Sequence, residues 1–505
     1  MIAETDAPAA VNPRLVRSYD LRGRVGADLT EADAHALGAR VATAVRARGG
    51  RTVAVGYDGR LSSPMLEAAL VAGVLAGGAE VERTGLGPTG QLYYAVHALG
   101  TDGGVMVTGS HNPPDENGFK ILLGTDPVHG QALRDLVLEP SSASAPLKGE
   151  RLLGEGRGPA AVHGEHGRPS TPTAPGPGPG LRRGGVGTDR AGNIPDAYLH
   201  RLLQAADGTP TLRIGWDAGN GATGRMIERL TAALPGEHHL IHCEIDGRFP
   251  AHHPDPSDPA NLRDLQTLVR DNGLDLGIAF DGDGDRIGVI DATGEIVWPD
   301  QLLLYLAQDV LTRHPGSAVV ADVKSSRVLF DGIAEGGGRG VLSPSGYVLI
   351  REAMLREAAP IAGEMSGHLF FAEDWYGTDD ALHNAVRLLA AIGRRGSLTA
   401  WREALPRTHA TPELRLPWPD ADKPRVLAEL EQALLAEGAT IDRTDGLRVT
   451  TPQGWWLIRA SGTEPKLTAR VEAWTAEGLD RLRGELMARL EKADMGVRNR
   501  SVTDT

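Results

Sequence analysis

The spacing of apolar residues between positions 29 and 138 switches repeatedly between helical and extended patterns. Helix-forming residues predict two helices, Glu31–Arg48, capped by Thr30, and Pro64–Gly77. Short apolar and β-branched runs predict strands at Thr52–Gly56, Ala79–Arg83 and Gly104–Thr108. Such alternation is typical of βαβ units, in which helices cover a largely parallel or mixed sheet.

The same alternation resumes near residue 191 and continues to about residue 392. The strands predicted there are Thr211–Trp216, Leu240–Ile245, Leu274–Phe280, Ile287–Ile290 and Ala318–Val323. The predicted helices are Tyr198–Ala206, Arg225–Leu234, Leu262–Asn272, Val328–Glu335, Tyr347–Glu357 and Asp380–Ile392. These elements indicate further α/β units of the same kind.

The end of the chain follows a different order, with more strands and fewer helices. Its predicted strands are Glu413–Leu416, Leu447–Thr450, Trp455–Arg459 and Leu467–Glu472. Its predicted helices are Pro424–Glu437 and Ala476–Lys492. This order indicates a smaller α+β domain at the C-terminal end.

One segment, Gly154–Thr188, interrupts these patterns with 11 glycines and 6 prolines in 35 residues. Such a composition cannot bury enough apolar surface to offset the entropy of ordering the chain, so we expect a linker or loop insertion. The predicted organisation is a first domain at 1–150, the insertion at 151–188, and domains at 189–295, 296–408 and 409–505.

Length and charge narrow the class of protein. A chain of 505 residues should hold three or four domains. The net charge of −14 disfavours nucleic acids and anionic membranes as partners, and an anionic ligand would need a locally positive site.

A single cysteine, Cys243, excludes an intramolecular disulfide and cysteine-ligated clusters. With neither a signal-peptide pattern at Met1–Pro13 nor a run of about 18 apolar residues, a cytoplasmic protein is expected.

The first segment with distinctive chemistry, here called the serine loop, is Thr108–Lys120, with the sequence TGSHNPPDENGFK. It follows a predicted strand, so Ser110 would lie at an exposed strand end with His111 and Lys120 nearby. A serine needs activation or prior modification to carry a phosphoryl group. The same composition also fits a simple Asn/Pro turn, so both interpretations stay open at this point.

The second, here called the metal loop, is Phe280–Arg286, with the sequence FDGDGDR. Its three carboxylates are Asp281, Asp283 and Asp285. Alternating with glycine, they can converge on one cation, and oxygen ligands suit Mg²⁺ or Ca²⁺. An EF-hand fits poorly, because Arg286 and Ala292 stand where that loop needs Gly and Glu. A solvated acidic turn is the weaker alternative, since three uncompensated carboxylates repel one another.

Two further loops carry polar groups suited to a sugar phosphate. Gly363–His368 (GEMSGH), here the sugar loop, offers acceptor, donor and switchable groups of the kind that sugar hydroxyls require. Arg459–Lys466 (RASGTEPK), here the phosphate loop, combines two cations with backbone amides able to cradle an anion. Each loop, considered alone, also fits ordinary turn chemistry.

A Gly-rich segment, Gly219–Gly224 (GNGATG), matches a dinucleotide-binding fingerprint, with Glu244 and Asp246 about 20 residues further on. The chain then continues into Phe249–Pro256 (FPAHHPDP) and the metal loop rather than into a second mononucleotide-binding half. We therefore interpret these glycines as residues that allow close helix–strand packing.

Four such loops in this order resemble the α-D-phosphohexomutase family, and in particular its bacterial phosphomannomutase/phosphoglucomutase branch. The resemblance runs from Tyr19 to Arg470. It rests on YDLRG, TGSHNPPDENGFK, GNGATG, FPAHHPDP, DGDGDR, DVKSSR, GEMSGH and RASGTEPK. Met365 in the sugar loop is similar to the mannose/glucose branch, since the phosphoglucosamine branch usually carries Gln there.

The resemblance implies an α/β fold of three similar α/β domains with mixed sheets plus a smaller C-terminal α+β domain around a central cleft. It implies an intramolecular phosphotransferase that interconverts hexose 6-phosphate and hexose 1-phosphate, with mannose or glucose as the sugar. The reaction would pass through a phosphoserine enzyme and a hexose 1,6-bisphosphate. One Mg²⁺ per chain, a hexose 1,6-bisphosphate activator and a monomer or homodimer are expected.

The family roles carry over to matching positions. Ser110 would bear the phosphate and complete a Mg²⁺ shell built by Asp281, Asp283 and Asp285. The reacting end would be lined by Arg22, His111, Lys120, Arg286 and His368, with Lys120 and His368 as candidates for proton transfer. Sugar hydroxyls would meet Glu364, Ser366 and His368, and the other phosphate Arg459, Ser461, Gly462 and Thr463. Further substrate contacts are expected from Tyr19, Lys324, Tyr347 and Lys466.

Three features depart from the family pattern. Tyr347 stands where His is common, which puts the sugar preference in question. Tyr57 stands in a loop where Arg is more usual, and the Gly154–Thr188 insertion is longer than the family's linker.

Several alternative functions compete with the mutase. One is a phosphoglucosamine mutase. The runner-up enzyme is an aspartyl-phosphate phosphatase or mutase of the haloacid-dehalogenase type, which would use Asp281 as nucleophile and leave Ser110 idle. A sugar-phosphate sensor without catalysis would not need the serine or the acidic triad. A dinucleotide-binding protein is the remaining alternative.

Overall fold

The structure is a computed structural model that describes residues 10–138, 194–461 and 465–501. Within it the chain forms two compact units, one of residues 1–200 with 246–248 and one of residues 201–245 with 249–505. The predicted insertion at 151–188 lies outside the described residues. No helix in the described ranges is both long and apolar enough to cross a membrane.

The first unit contains one mixed sheet. Its strands are β1 (Leu21–Arg24), β2 (Thr52–Tyr57), β3 (Glu80–Leu86), β4 (Gly103–Val107), β5 (Glu116–Leu123) and β6 (Asp126–Pro127). Its helices are α1 (Glu31–Ala47), α2 (Ser63–Ala76), α3 (Thr89–Leu99), α4 (Gly130–Leu138) and the start of α5 (Ile194–Ala205). The order is β1-β5-β4-β2-β3, with β2 parallel to β3 and β4 and the other pairs antiparallel. Thr30 and Asp33 form the capping box that starts α1.

The serine loop is shorter than the sequence analysis predicted. Strand β5 begins at Glu116, so Lys120 lies within the strand and pairs with Met106 of β4. The apolar run after Gly118 closes the sheet next to β1, and a side chain at that glycine would collide with the backbone of Leu21. Long-range pairing therefore overrides the turn-forming composition of this segment.

The second unit begins with a sheet of five strands. These are β7 (Leu212–Asp217), β8 (Gly236–Ile241), β9 (Leu276–Phe280), β10 (Ile287–Asp291) and β11 (Ile296–Val297). The helices α6 (Gly224–Thr231) and α7 (Arg263–Asn272) accompany them. The order is β11-β10-β9-β7-β8, and β7 is parallel to both of its neighbours. The metal loop is the tight connection between the antiparallel strands β9 and β10.

The strand predicted at Leu240–Ile245 is wrong by four residues. Strand β8 is at the edge of its sheet and leaves much of its surface exposed, so it carries the polar sequence GEHHLI. Its register is set by pairing with β7, which is buried, and not by its own apolar content.

The next sheet of the second unit is also mixed. Its strands are β12 (Ala318–Asp322), β13 (Arg339–Ser343), β14 (Ile361–Gly363), β15 (Leu369–Phe371) and β16 (Thr378–Asp379), in the order β13-β12-β14-β15-β16. Its helices are α8 (Pro299–Arg313), α9 (Arg327–Glu335), α10 (Tyr347–Arg356), α11 (Ala381–Arg395) and α12 (Leu398–Glu403). Strand β12 is parallel to β13 and β14, and the remaining pairs are antiparallel.

The last sheet is antiparallel throughout the described residues. Its strands are β17 (His409–Ala410), β18 (Leu414–Pro417), β19 (Thr440–Asp442), β20 (Leu447–Thr451), β21 (Gly454–Ala460) and β22 (Lys466–Ala473). Helices α13 (Lys423–Ala436) and α14 (Ala476–Ser501) pack on it through Leu430, Leu434, Leu482 and Leu486. The fold class predicted from the sequence, three α/β domains with mixed sheets and a smaller C-terminal domain, is confirmed.

A buried junction joins this last sheet to the loop after β12. Arg448 of β20 donates to the backbone oxygens of Val323 and Ser325 at 2.6 and 3.0 Å, and its guanidinium lies 3.8 Å over the Trp455 ring. Burial lowers the pKa of Arg448 to about 10, so it stays charged at neutral pH. Glu472 accepts from the Ser326 hydroxyl at 2.9 Å. The two side chains tie the C-terminal sheet to the DVKSSR segment.

Candidate active site

Ser110 lies just beyond β4, in the first unit, and adopts a φ of 48°. This left-handed conformation is unusual for a serine and costs on the order of 1–3 kcal/mol, so it persists only where surrounding contacts impose it. Its backbone N–H donates to the Thr108 hydroxyl at 2.7 Å, and the residue is buried. The hydroxyl-bearing residue is therefore held in one geometry by its own loop.

Arg60 supplies most of the contacts that shape the serine loop. It is buried, and it donates to the backbone oxygens of Ser110 and Glu116 at 2.7 and 2.8 Å and to those of Asn112 and Pro113. Arg60 follows β2 by three residues, in the segment where Tyr57 departs from the family pattern, and it was not predicted as a site residue. The sequence could not predict this role, because Arg60 bonds to backbone oxygens that are distant from it along the chain.

The other predicted residues of the first unit lie around this loop. Arg22 of β1 is buried, donates to the Thr108 backbone oxygen at 2.7 Å and pairs with Asp20 at 2.7 Å. Lys120 is buried on β5, and His111 follows the serine in the loop. Tyr19 precedes β1, with its ring centroid 6.4 Å from that of His129.

The metal loop buries three carboxylates completely, each with no exposed surface. One oxygen from each of Asp281, Asp283 and Asp285 lies within 4.8 Å of the others. Gly284 makes the turn with a φ of 73°, and Asp281 Oδ1 accepts from the backbone N–H of Asp285 at 3.0 Å and of Arg286 at 3.1 Å. The hairpin between β9 and β10 thus turns its acidic side chains toward one point.

This donor set fits a hard divalent cation. The three carboxylates match the preference of Mg²⁺ and Ca²⁺ for oxygen ligands. Their complete burial would otherwise leave like charges together in a poorly solvated place. The residues present therefore suit a metal-dependent enzyme, and their oxygen ligands favour a hard divalent cation.

The metal loop contacts the sugar loop directly within the second unit. Arg286 Nε donates to His368 Nε2 at 2.9 Å, and the Ile287 N–H donates to the Gly367 oxygen at 3.2 Å. Nearby carboxylates, beginning with Asp281 and Asp285, outweigh the effect of burial and raise the pKa of Arg286. A permanent positive charge therefore lies beside the acidic triad.

The hydrogen bond from Arg286 fixes the tautomer of His368. Because Nε2 accepts from Arg286, the ring proton must be on Nδ1, which lies 2.8 Å from Asp379 Oδ2 and 3.8 Å from Asp285 Oδ1. The Tyr347 ring stacks on the imidazole, with ring centroids 5.5 Å apart. The sequence analysis predicted His368 and Tyr347 but missed Asp379, whose only signal was a pair of aspartates before α11.

The remaining sugar-loop residues lie close to His368. Glu364 is buried, and its N–H donates to the His368 backbone oxygen at 2.9 Å. The Ser366 hydroxyl is buried without a hydrogen-bond partner in the part of the chain that the structure describes. Such a hydroxyl is available to a ligand that enters the site.

The phosphate loop is described only in part. Arg459 pairs with Asp445 at 3.0 Å, and Lys423 Nζ donates to the Ser461 backbone oxygen at 2.7 Å. Lys466 begins β22, and its backbone oxygen accepts from the Ser461 N–H at 3.0 Å. The predicted contacts of Gly462 and Thr463 lie outside the described residues.

A cavity of about 1030 Å³ in the second unit connects these loops. Its lining includes Lys324, Met365, Ser366, Arg459 and Arg470, so the sugar loop, the phosphate loop and the DVKSSR segment share one space. Lys324 Nζ lies 3.6 Å from Asp322 Oδ2, and burial raises the pKa of that carboxyl. The volume suits a small phosphorylated sugar rather than a macromolecule.

The Gly-rich segment at the start of α6 packs closely on two neighbouring loops. Gly221 packs on the backbone of Gly282 in the metal loop, where a Cβ would be 2.9 Å from an oxygen. Gly224 packs on the backbone of Cys243 too closely for a side chain. The glycines thus allow close packing, as predicted, and one of their partners is the metal loop itself.

Cys243 should be a slow thiol. Burial, with the charges of Glu228 and Asp217, raises its pKa to about 12, so almost no thiolate exists at pH 8. We expect iodoacetamide to alkylate the native protein more than about 10-fold more slowly than the protein in urea, as mass spectrometry would measure. Equal rates in the two conditions would contradict the assigned environment.

Comparison with known proteins finds one family along the chain. Residues 13–135, 196–294 and 298–409 match phosphoglucomutase/phosphomannomutase alpha/beta/alpha domains I, II and III, and residues 413–489 match the C-terminal domain. A phosphomannomutase/phosphoglucomutase of Pseudomonas putida is 37% identical over 489 residues, which cover 96% of this chain and 97% of that protein.

Two more relatives extend the comparison. A phosphoglucomutase of Neisseria gonorrhoeae is 36% identical over 490 residues, covering 96% of this chain and 98% of that protein. The crystal structure of a phosphoglucomutase/phosphomannomutase family protein from Burkholderia thailandensis superposes with a TM-score of 0.82 at 34% identity, covering 96% and 98% of the two chains.

Proposed function

Because the chain belongs to the phosphoglucomutase/phosphomannomutase family, we propose that it interconverts hexose 6-phosphates and hexose 1-phosphates, with mannose or glucose as the sugar. The observation that carries the proposal is the contact between the acidic loop and the sugar loop through Arg286 and His368. This contact supports the proposal because it joins the acidic triad, the proposed cation site, to the proposed sugar-binding groups, and phosphoryl transfer to a sugar hydroxyl requires both in one place.

Ser110 is the proposed carrier of the phosphoryl group. Its O–P bond breaks as the free hydroxyl of a hexose monophosphate forms a new O–P bond, which gives the 1,6-bisphosphate. The bisphosphate exchanges its ends, and the other phosphoryl group returns to Ser110 to release the isomer. Mg²⁺, when held by Asp281, Asp283 and Asp285, would supply positive charge that stabilises the transferred phosphoryl oxygens.

The remaining proposed roles are orientation of the substrate, proton transfer, and binding of the sugar and the second phosphate. Both ring nitrogens of His368 have partners, so its proposed task is to orient Arg286 and the sugar rather than to carry a proton. Proton transfer to and from the hydroxyl then falls to Lys120, the other candidate from the sequence. Glu364 and Ser366 would meet sugar hydroxyls, and Arg459 with its loop would hold the second phosphate.

Steady-state kinetics with mannose 1-phosphate, glucose 1-phosphate and glucosamine 1-phosphate test the function, in the presence of Mg²⁺ and a hexose 1,6-bisphosphate. We expect conversion of the first two to their 6-phosphates. A preference for glucosamine 1-phosphate would favour the phosphoglucosamine mutase alternative, and no conversion of any would contradict the proposal. The activator requirement and the monomeric or dimeric state remain predictions.

Replacing Asp379 with asparagine should slow turnover. The amide keeps the shape but lacks the charge that holds the Nδ1 proton of His368, so the imidazole can turn away from Arg286. We expect kcat to fall about 10–100-fold, the scale for an outer hydrogen-bond partner, with a smaller change in KM. Steady-state kinetics at saturating Mg²⁺ measure both constants.

The matched control is Asp331→Asn, which neutralises a half-exposed aspartate on α9. It should leave both constants unchanged. If Asp379→Asn raised KM alone, the residue would act through substrate binding and its positioning role would be wrong.

A further inference from the structure

A second group of metal-ligating side chains lies apart from the metal loop, at the carboxyl ends of β7 and β8. It consists of Asp217, His242 and His252, and one ligand atom from each lies within 4.8 Å of the others. We propose that this group, here called the histidine site, binds one transition-metal ion, with Zn²⁺ as the best match. The proposal does not depend on the mutase activity.

The fold brings these residues together from three segments. Strands β7 and β8 are parallel, and Asp217 pairs in register with Ile241, so His242 follows at the same edge of the sheet. His242 has a φ of 53°, a conformation that a residue with a side chain rarely adopts without support from its surroundings. His252 comes from the FPAHHPDP segment, and its ring contacts Asp217 at the end of β7.

The hydrogen bonds of His252 aim a nitrogen lone pair at Asp217. Nδ1 lies 3.0 Å from the His253 backbone oxygen, and since a carbonyl only accepts, Nδ1 must hold the proton of the neutral ring. Nε2 lies 2.9 Å from Asp217 Oδ2, and in the neutral ring its lone pair would point at that oxygen. Such an arrangement requires a proton or a metal ion between or beside the two atoms.

The carboxylate is itself held in place. Asp217 is completely buried, and its Oδ1 accepts from the Gly219 N–H at 2.9 Å, which leaves Oδ2 to face the imidazole. A ligating histidine whose second nitrogen donates to a backbone carbonyl, beside a hydrogen-bonded carboxylate, is the usual outer arrangement of a metal site.

The third ligand completes a nitrogen-rich set. The His242 ring lies edge-on to that of His252, with centroids 5.3 Å apart, and its Nε2 is 3.1 Å from Asp264 Oδ2. The two histidine side chains are 24% and 15% exposed, so the site is open to solvent on one side. Two imidazoles and a carboxylate select Zn²⁺, Co²⁺ or Ni²⁺ over Mg²⁺, which prefers oxygen and water.

The histidine site and the metal loop are neighbours but have no ligand in common. Asp217 pairs with Ala279, two residues before the first aspartate of the triad. The Gly-rich segment packs on the metal loop, with the Ala222 N–H donating to the Gly282 oxygen at 2.9 Å. Occupancy of one site can therefore be measured while the other is altered.

Equilibrium dialysis against Zn²⁺ in a large excess of Mg²⁺, followed by metal analysis, tests the proposal. We expect the wild-type protein to bind one Zn²⁺ per chain that the excess Mg²⁺ does not displace. His252→Gln and His242→Gln should each weaken binding by more than the 10–100-fold that is typical of losing an outer partner. Co²⁺ as a second probe should give visible absorption bands in the wild type that the variants lack.

Two controls separate this site from others. His239→Gln removes a histidine of β8 that pairs with Glu237 at 2.6 Å, and Asp283→Asn alters the metal loop. Both should retain the Zn²⁺. Wild-type binding no greater than that of His252→Gln would overturn the proposal and leave a protonated His252 paired with Asp217, and loss of Zn²⁺ only in Asp283→Asn would assign the ion to the metal loop.

A stability measurement guards against misfolded variants. Zn²⁺ that binds the folded protein should raise the thermal midpoint of the wild type in proportion to its occupancy, and it should not raise that of His252→Gln. Equal shifts in the two proteins would contradict the site, even if both fold normally.

Discussion

Ser110→Ala should reduce mutase turnover by about 10⁴-fold or more, the scale seen when a covalent nucleophile is removed. The hydroxyl is the proposed attachment point of the phosphoryl group, and alanine offers no atom to replace it. Incubation with labelled hexose 1,6-bisphosphate should leave acid-stable phosphate on the wild type and none on the variant. Peptide mapping would place the label on the serine loop.

We expect the variant to fold, because Arg60 holds the loop through the backbone oxygens of Ser110 and Glu116, which the substitution keeps. Ser62→Ala is the matched control, since it removes another hydroxyl of the same sheet domain, one that accepts from Asn117 at 2.9 Å. It should keep its activity and its label. Acid-labile phosphate on Asp281, or full turnover by Ser110→Ala, would support the aspartyl-phosphate alternative instead.

Asp283→Asn should lower turnover more than about 100-fold at saturating Mg²⁺, because it removes a proposed ligand and not an outer partner. The same change should raise the thermal midpoint in EDTA. Three fully buried carboxylates lie within 4.8 Å of one another, and neutralising one relieves their repulsion when no cation is bound. Calorimetry with and without Mg²⁺ measures both the rise and the loss of Mg²⁺-dependent stabilisation.

Asp271→Asn, an exposed aspartate of α7, is the charge-matched control and should change neither quantity. A lower midpoint for Asp283→Asn in EDTA would show that the acidic triad is stabilised by its neighbours. An unchanged Mg²⁺ effect would remove Asp283 from the ligand set.

The metal loop could be predicted because its three aspartates are close together in the sequence. Three aspartates alternate with glycine over five residues, so one tight hairpin is enough to bring them together. The helices α1 and α10 were also predicted closely, since their helix-forming runs and boundaries are local features.

The contacts that the sequence did not predict join distant parts of the chain. Arg286 and His368 are 82 positions apart, and Asp379 enters only because β15 and β16 pair behind the imidazole. Arg60 donates hydrogen bonds to the serine loop from about 50 positions away in the sequence. Strand β8 is polar because it lies at an edge, which its own sequence does not reveal.

The junction of Arg448 and Glu472 bears on how this enzyme can be divided for study. If residues 409–505 were produced alone, Trp455 and Leu457 would lose their packing against Val323 and become exposed. The buried guanidinium of Arg448 would lose its backbone carbonyl partners. The remaining fragment would lose the acceptor that binds Ser326. The C-terminal domain is therefore not a detachable module, and fragment complementation should divide the chain elsewhere.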